Sequence, residues 1–457
     1  MPRLFEIVTA LLIAAAAALY FTPPPAGSDP ATMHAAALLV LTLGLWALGR
    51  VPEHVTALQF FLLAVVLGIA SPAVVFSGFA SATMWLVLGG LFIAEAVNVT
   101  GLGRRFAGLL FERYTFDYRG LVIAIAVVST VLSFFMPATV GRILLMLPIV
   151  MALAERVGFK PGSTGYNGLT LSAIIITYQS GTGILPANAP NLVLAGATEA
   201  IYDVQLIYAE WLWVMFPVLC LLKGVIVVWL VCRLFPAEVL PQAPAAPAPP
   251  MSAAERRLAV ILTLALVLWA TDFVHHVRAG WVALAAAVAC LMPRIGVMPP
   301  AAFNNVRLGS FFYIGATIGL GAVAQESGLG ELLGRTLQST LSLQPGSDFT
   351  NFMTLTGLGA AIGLIATNPA QPALLTPLAG HFAEAAGWPL TAALMTFAVG
   401  FTIMILPYQV PPLIIGMHAA RISLPTMLRL SLPLALISIV VLLPLEYVWW
   451  RIIGYFT

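Results

Sequence analysis

The sequence predicts an all-α polytopic membrane protein, with about eleven transmembrane helices and two re-entrant hairpins in two inverted-topology repeats. Three observations support this fold class. The chain of 457 residues is 61% hydrophobic and only 8% charged, whereas soluble domains carry about 25% charged residues. Many of its apolar stretches approach the roughly 20 residues that a helix needs to cross a bilayer. Helix-breaking clusters interrupt some of these stretches at matching places in the two halves of the chain.

The chain starts with one span and its loop, and the first repeat follows. Residues 1–30 contain an apolar stretch that ends at "TPPPAGSDP", a run typical of a loop. The first inverted repeat is predicted over residues 31–234. Within it we expect a hairpin over about 120–155 and a broken helix over about 169–200, because proline, glycine and asparagine interrupt apolar sequence there.

The first hairpin places an arginine in the middle of a hydrophobic run. Residues 133–150 read "SFFMPATVGRILLMLPIV" and are apolar except for a cluster that includes Thr139 and Arg142. Charged side chains at membrane depth usually face the bundle interior or a water-filled cavity, and they mark substrate pathways. Arg142 is therefore a candidate functional residue. The structural alternative is that its side chain snorkels or pairs with a carboxylate.

A proline- and alanine-rich stretch separates the two halves. Residues 235–257 have no apolar period and predict a cytoplasmic linker. The second inverted repeat is predicted over residues 258–430, with a hairpin over about 351–386 and a broken helix over about 391–420. The last span covers residues 431–457. The same elements recur in the same order, and "LPANAPNLVLAG" in the first half resembles "LPYQVPPLIIG" in the second, a pattern that indicates the binding site of a secondary transporter.

The basic residues predict the orientation in the membrane. With a cytoplasmic amino terminus and re-entrant hairpins, most arginines lie in cytoplasmic loops, and Arg278, Arg335 and Arg451 lie outside. This positive-inside bias requires an odd number of spans, so the carboxyl terminus lies outside and the halves are inverted. The first hairpin then enters from the cytoplasm and the second from outside, with their tips near the midplane.

Two facing hairpin tips would create a pocket for a small polyanion. Free amide groups at the start of each second helix favour an anion, whereas free carbonyl groups at the end of each first helix favour a cation. A membrane enzyme is a less favoured alternative, because such enzymes usually show acidic clusters or serine–histidine pairs in their spans, and the sequence has none. The net charge of +2 gives no indication of a nucleic-acid partner.

The order of elements resembles the divalent anion/sodium symporter (DASS) family of the ion transporter superfamily, which carries dicarboxylates, citrate and sulfate. The stretch "LWALGRVPEHVTALQFFLLAVVLGIASP" is similar to the family's early spans, and the resemblance covers nearly the whole chain from about Ala31. That family has Ser-Asn-Thr at each hairpin tip. Here Ala138-Thr139-Val140 and Thr367-Asn368-Pro369 take those places, so the chain diverges at both motifs.

The resemblance implies that substrate carboxylates lie against the two tips and the turns of the broken helices. The implied substrate-binding residues are Thr139, Val140, Arg142, Asn188, Pro190, Asn191, Thr367, Asn368, Pro369, Gln409, Val410 and Pro411. It also implies sodium sites where each tip meets its turn, at Ala138, Thr139, Thr182, Gly183, Thr367, Asn368 and Tyr408. We expect no other metal and no cofactor. Because "MPATVGR" is similar to the "MPSNTAR" of dicarboxylate exchangers, we hypothesise that Arg142 supplies a fixed charge where the first sodium would bind.

The implied function is secondary active transport of small divalent organic anions, of the C4-dicarboxylate or tricarboxylate type, by alternating access. Exchange and cation coupling both stay open. The alternative is a carrier of the same superfamily for a different anion, such as sulfate, a sulfonate or arsenite. We expect a homodimer in the lipid bilayer of the bacterial inner membrane, with a small-molecule anion as its partner.

Overall fold

The computed structural model describes residues 2–25, 28–113, 117–136, 138–239 and 250–456. Within these ranges the chain contains helices and no strand, so the predicted all-α class is confirmed for them. Residues 240–249 of the predicted linker lie outside the described residues, as does Pro137 of the first interrupted segment.

The early helices are separated by short turns that proline, serine and glycine define. Ser81 caps the start of one helix by accepting a hydrogen bond from the Met84 amide, and Gly101 ends the same helix in the left-handed conformation. Gly49 ends an earlier helix in the same way, and this conformation costs glycine little. In chain order these helices are α1 (Pro2–Phe21), α2 (Pro30–Leu48), α3 (Glu53–Val66), α4 (Pro72–Val75), α5 (Ser77–Ala80), α6 (Ala82–Thr100) and α7 (Leu102–Arg113).

Two breaks interrupt the helices of the first half. One lies between α8 and α9, and the other contains a short 3-10 turn, Leu185–Ala187, between α10 and α11. A π-helical turn, Pro217–Leu222, joins α12 to α13. The bounds are α8 (Tyr118–Phe135), α9 (Thr139–Arg156), α10 (Thr164–Thr182), α11 (Ala189–Tyr202), α12 (Tyr208–Phe216) and α13 (Lys223–Leu234).

The helix after the linker begins inside the segment that the sequence predicted as linker. A capping box starts α14: the Ser252 hydroxyl accepts from the Glu255 amide at 3.1 Å, and the Glu255 carboxylate accepts from the Ser252 amide at 2.7 Å. Residues 253–257 are therefore helical. The Arg105 guanidinium lies 2.6 Å from the same carboxylate, and its hydrogen bond, more than the Ser252 amide, lowers the pKa of Glu255 to about 2.

The second half repeats the pattern of interrupted helices. A break of four residues separates α19 from α20, and a second break, with the 3-10 turn Pro407–Gln409, separates α22 from α23. The bounds are α14 (Ala253–Ala270), α15 (Asp272–His275), α16 (Ala279–Leu291), α17 (Gly309–Glu326), α18 (Leu329–Leu341), α19 (Asp348–Ile365), α20 (Ala370–Leu375), α21 (Ala379–Ala386), α22 (Leu390–Phe401), α23 (Pro411–Ala420), α24 (Leu424–Ile437) and α25 (Leu443–Ile452).

Several helices have the length and composition of membrane spans. Five described helices qualify, two of them continuous through π-helical turns: Pro30–Leu48, Ala82–Thr100, Tyr118–Phe135, Tyr208–Leu234 and Leu424–Ile452. Shorter apolar helices accompany them over Glu6–Phe21, Glu53–Val66, Ala279–Leu291 and Leu390–Phe401.

Helices α10 and α17 are the central helices of the described bundle. Every residue from Gly168 to Thr182 in α10 and from Tyr313 to Ala324 in α17 is buried. A helix that is buried on all sides lies in the core of a bundle. Helix α10 packs against α8, α9 and α13, whereas α17 packs against α3, α5 and α11. The bundle therefore has two packed groups of helices, with α11 lying against α17.

Candidate functional site

A cavity of about 190 Å³ lies where the breaks of the two halves converge. Four breaks contribute to its wall, each at the point where the following helix starts. These residues are Ala138, Thr139 and Val140 at α9, Asn188, Ala189 and Pro190 at α11, Asn368 and Pro369 before α20, and Val410, Pro411 and Pro412 at α23. The opposite wall comes from α3, α6 and α17.

The starts of the helices differ in what they can offer a ligand. Helix α9 presents free amide groups in its first turn, where the helix dipole favours negative charge. Asn188 adds a side-chain donor, because its buried Nδ2 atom has no hydrogen-bond partner within the described chain. By contrast, α23 starts with Pro411 and Pro412, which have no N–H group. The first-half side of the cavity is therefore the better anion-binding wall.

The guanidinium of Arg142 lies behind the first tip and not in the cavity wall. It is fully buried. Its Nη1 atom donates to the carbonyl of Met136 and, at 2.9 Å, to that of Ala187. Its Nη2 atom donates to the Thr177 carbonyl at 3.1 Å and to the Thr139 hydroxyl at 3.3 Å. Within the described ranges no carboxylate forms an ion pair with it, so its partners are backbone oxygens and one hydroxyl.

Of the residues expected at the first cation site, only Thr139 contributes to this oxygen cage around Arg142. Backbone carbonyl and hydroxyl oxygens are the ligands that hard cations prefer. Here they already accept hydrogen bonds from a side chain that is permanently charged. The Thr139 hydroxyl also lies 3.2 Å from the Ala187 carbonyl and 3.3 Å from Asn188 Oδ1. Thr139 thus joins the first hairpin tip to the turn between α10 and α11, beside the Arg142 guanidinium.

The second tip is organised by amide groups and a tyrosine. Asn368 Nδ2 donates to the Phe401 carbonyl at 2.7 Å and to the Tyr178 hydroxyl at 2.5 Å. The Asn368 backbone amide donates to the Gln409 carbonyl at 2.8 Å, and Gln371 donates to Asn368 Oδ1 at 3.0 Å. Asn368 Oδ1, the Tyr178 hydroxyl and the carbonyls of Phe401 and Gln409 therefore have partners within the protein.

The predicted site residues divide into two groups. The cavity is lined by Ala138, Thr139, Val140, Asn188, Pro190, Asn368, Pro369, Val410 and Pro411. The others lie outside the wall: Arg142, Thr182, Gly183, Asn191, Thr367, Tyr408 and Gln409.

Three residues of the outer group hold the unwound segments. Asn191 Nδ2 donates to the carbonyls of Gly181 and Ile184, at 2.9 and 3.0 Å. Gln409 Oε1 accepts from two backbone amides at 2.8 Å each. The exposed Tyr408 donates its hydroxyl to the Leu364 carbonyl at 2.6 Å. These contacts are structural, because they satisfy backbone groups that the breaks leave without helical partners.

Sequence reasoning missed the far wall of the cavity. Glu53 of α3, Ser310 and Tyr313 of α17, and Tyr178 of α10 contribute its other polar groups. Tyr178 carried a signal, because it is a polar aromatic residue inside the apolar part of a broken span. Glu53 carried none, since it precedes an apolar stretch and does not interrupt one.

Comparison with known proteins gives matches along almost the whole chain. The family described as the sodium:sulfate symporter transmembrane region matches residues 5–456. A membrane protein of Cupriavidus necator is 26% identical over 393 residues, which are 83% of this chain and 76% of that protein. An L-tartrate/succinate antiporter of Escherichia coli is 25% identical over 287 residues, 58% of this chain and 57% of that protein.

A solved structure shares the fold. The crystal structure of the Alcanivorax borkumensis YdaH transporter aligns with a TM-score of 0.59, over 93% of this chain and 99% of that chain, at 16% identity. The family and the Escherichia coli relative are transporters, so the protein is an integral membrane transporter and not a membrane enzyme. The chain belongs to the sodium:sulfate symporter family, which is the divalent anion/sodium symporter family that its sequence resembles.

Proposed function

We propose that the protein exchanges small divalent organic anions, of the C4-dicarboxylate or tricarboxylate type, across the bacterial inner membrane by alternating access. The observation that carries this proposal is the cavity at which Thr139, Asn188 and Asn368 meet. Its volume of about 190 Å³ is below the roughly 300–1,000 Å³ of pockets for drug-sized ligands. The similarity to an L-tartrate/succinate antiporter supports a C4-dicarboxylate in particular.

The environment of Arg142 supports exchange at the first site. Its guanidinium occupies the carbonyls of Met136, Thr177 and Ala187, where a co-transported cation would otherwise find ligands. A built-in charge cannot be released, so the site keeps its charge through the whole transport cycle. Moving an uncompensated charge through a bilayer is costly, and a bound anion offsets that charge. The loaded carrier therefore crosses more readily than the empty one.

The position of the cavity supports a conformation in which the cavity faces the cytoplasm. Glu53 and Ser310 lie in its wall, and both follow closely on arginines, Arg50 and Arg307, that the sequence assigns to cytoplasmic loops. With a cytoplasmic amino terminus and an outer carboxyl terminus, this side of the cavity faces the cytoplasm. The interrupted helices then form the moving bundle, with re-entrant hairpins in two inverted repeats, and α3, α6 and α17 belong to the scaffold of a homodimer.

A second candidate is a carrier of the same superfamily for another anion, such as sulfate, a sulfonate or arsenite. The observation in its favour is the divergence of both tips. At the first tip, Ala138 and Val140 bring no polar side chain to the cavity. Fewer polar groups at the tip suit a smaller anion that is held chiefly by backbone dipoles.

Counterflow in proteoliposomes tests the proposal. Purified protein is reconstituted with unlabelled succinate inside, and uptake of labelled succinate, L-tartrate, citrate and sulfate is measured with and without a sodium gradient. We expect accumulation of the dicarboxylates only when an anion is present inside, and no accumulation in protein-free liposomes. Uptake driven by sodium into anion-free vesicles would contradict exchange, and accumulation of sulfate alone would favour the second candidate.

A further inference from the structure

Lys223 is a second basic side chain inside the bundle, and the site described above does not include it. It lies at the start of α13, directly after the π-helical turn Pro217–Leu222. Only 2% of its surface is exposed. Burying an ammonium group without partners is costly, so its position demands a specific interaction.

That interaction is with the end of a broken helix. Lys223 Nζ donates to the Thr402 carbonyl at 2.7 Å, and Thr402 is the residue that caps the carboxyl end of α22. Carbonyl groups at this end of a helix have no intrahelical partner and carry partial negative charge. In the described part of the chain no carboxylate forms an ion pair with Lys223. The ammonium group of Lys223 therefore interacts with the carboxyl end of α22.

Hydrogen bonds connect the carboxyl end of α22 to residues of the cavity wall. The neighbouring carbonyl of Phe401 accepts hydrogen bonds from Asn368 Nδ2, at 2.7 Å, and from the Tyr178 hydroxyl, at 2.9 Å. Asn368 and Tyr178 both line the cavity. Lys223 is thus one peptide unit away from the groups that hold the second tip.

The broken helices of the two halves therefore share one feature, a buried basic side chain that donates hydrogen bonds to their backbone carbonyls. In the first half, Arg142 donates to backbone carbonyls of the broken helix formed by α10 and α11. In the second half, the backbone carbonyl at the carboxyl end of α22 accepts a hydrogen bond from Lys223, which itself lies in the first half. Each broken helix has one buried side-chain cation on its free backbone oxygens, and these cations come from different elements, α9 and α13.

We propose that Lys223 is the second built-in cation of this carrier, so that anion exchange requires no sodium at either broken helix. This inference rests on the proposed function. Lys223 is a positioning residue: it does not touch the anion but neutralises the end of α22 and so sets the charge and geometry at Asn368. In the low-dielectric interior, that charge acts on a bound dianion more strongly than it would in water.

The test compares exchange in sodium and in choline. Labelled succinate counterflow is measured for the wild-type protein and for three variants: Lys223→Met, which keeps the length but not the charge, Lys223→Arg, and Lys160→Met. Lys160 is the other lysine of the chain and is exposed, so it is the matched control. We expect equal wild-type rates in the two salts. In choline, Lys223→Met should lose about tenfold or more, as when a hydrogen bond to a charged group is lost.

Rescue distinguishes charge from simple packing. Lys223→Arg should keep most of the activity, and sodium should partly restore Lys223→Met because the freed carbonyl can then bind it. Size-exclusion chromatography and thermal unfolding check that the variants fold. The sodium requirement of exchange is measured on the wild-type protein alone.

The possible failures are separable. A wild-type protein that exchanges none of the tested anions overturns the proposed function, and with it this inference. A wild-type protein that exchanges succinate only in sodium overturns the role of Lys223 alone. The same holds if Lys223→Met matches the wild type in choline, or if Lys223→Arg is as inactive as Lys223→Met.

Discussion

The Tyr178 hydroxyl accepts a hydrogen bond from Asn368 Nδ2 at 2.5 Å, across 190 positions of sequence. The same hydroxyl donates to the Phe401 carbonyl at 2.9 Å. Tyr178 belongs to the broken helix of the first half, whereas Asn368 and Phe401 belong to the second half. This contact therefore joins the two interrupted regions at the wall of the cavity.

Replacing Tyr178 by Phe should weaken transport more than it weakens the fold. The substitution removes one acceptor from Asn368, whose amide keeps its bond to Phe401. It also removes the hydrogen bond from the hydroxyl to the Phe401 carbonyl, which keeps Asn368 as its donor. An unsatisfied buried polar group costs about 1–3 kcal/mol, so we expect a several-fold to hundredfold fall in succinate counterflow. Tyr20→Phe, in α1 and far from the cavity, is the control. Wild-type counterflow in Tyr178→Phe would remove this contact from the mechanism.

Replacing Arg142 by Ala should abolish exchange. Three backbone carbonyls would lose a charged donor, and each hydrogen bond to a charged group is worth about 1.5–3 kcal/mol. Melting in detergent should therefore occur at a lower temperature, and counterflow should disappear. Arg104→Ala, at an exposed position of α7, should leave both measurements unchanged. Normal uptake of the same anions by Arg142→Ala would contradict the fixed-charge hypothesis.

Replacing Gly181 by Ala should displace the Arg142 guanidinium without touching its charge. A Cβ atom at this position would lie 2.5 Å from Arg142 Nη2 and 3.2 Å from the Ala187 carbonyl. We expect counterflow to fall by about tenfold or more, because a buried guanidinium has few alternative partners. Gly224→Ala is a matched control in a membrane helix, since its Cβ would meet nothing within 4 Å. If both variants transport equally well, the cage does not constrain Arg142.

Replacing Glu53 by Gln should improve anion binding. Glu53 is the acidic residue in the described cavity wall, and its charge opposes a bound dianion. Two unit charges about 4 Å apart interact by roughly 1 kcal/mol in water, so the KM for succinate should fall by about fivefold. Glu384→Gln, at an exposed position of α21, should leave KM unchanged. An increase of KM in Glu53→Gln would show instead that this carboxylate assists binding.

Acid should weaken the contact between α7 and the start of α14. Arg105 lowers the pKa of Glu255 to about 2, below the usual value of about 4.3 for a glutamate. Because the pKa of Glu255 is lower in the folded state, its contribution to stability is complete when the pH is above the usual glutamate pKa. That contribution is lost as the pH falls towards 2. Wild-type melting temperature should therefore drop over this window. Glu255→Gln should melt lower at neutral pH and change less between pH 5 and pH 2.5, and an equal acid response in both proteins would contradict the assignment.

The breaks of the helices could be located from local sequence. Pro186, Pro190 and Pro411 lie in or beside the turns that separate the half-helices, and proline cannot donate the hydrogen bond that a helix interior requires. Apolar composition likewise predicted helices in a bilayer. Both properties depend on residue type and near neighbours, so the chain itself is sufficient evidence for them.

The partners of the buried cations could not be located in this way. Arg142 bonds to carbonyls 35 and 45 positions away, and Lys223 to one 179 positions away. Every residue has a backbone carbonyl, so residue type does not reveal which ones are left without a helical partner and turned towards a charge. The far wall of the cavity, with Glu53, is hidden for the same reason.

The sequence by itself thus determined an all-α membrane transporter with interrupted helices, and it singled out Arg142 as unusual. Only the tertiary structure decided that Arg142 lies behind the cavity and not in it, that Tyr178 meets Asn368, and that Lys223 reaches the end of α22. The physical reason is that helix formation and breakage depend on local chemistry, whereas these contacts depend on how the packed helices bring distant backbone groups together.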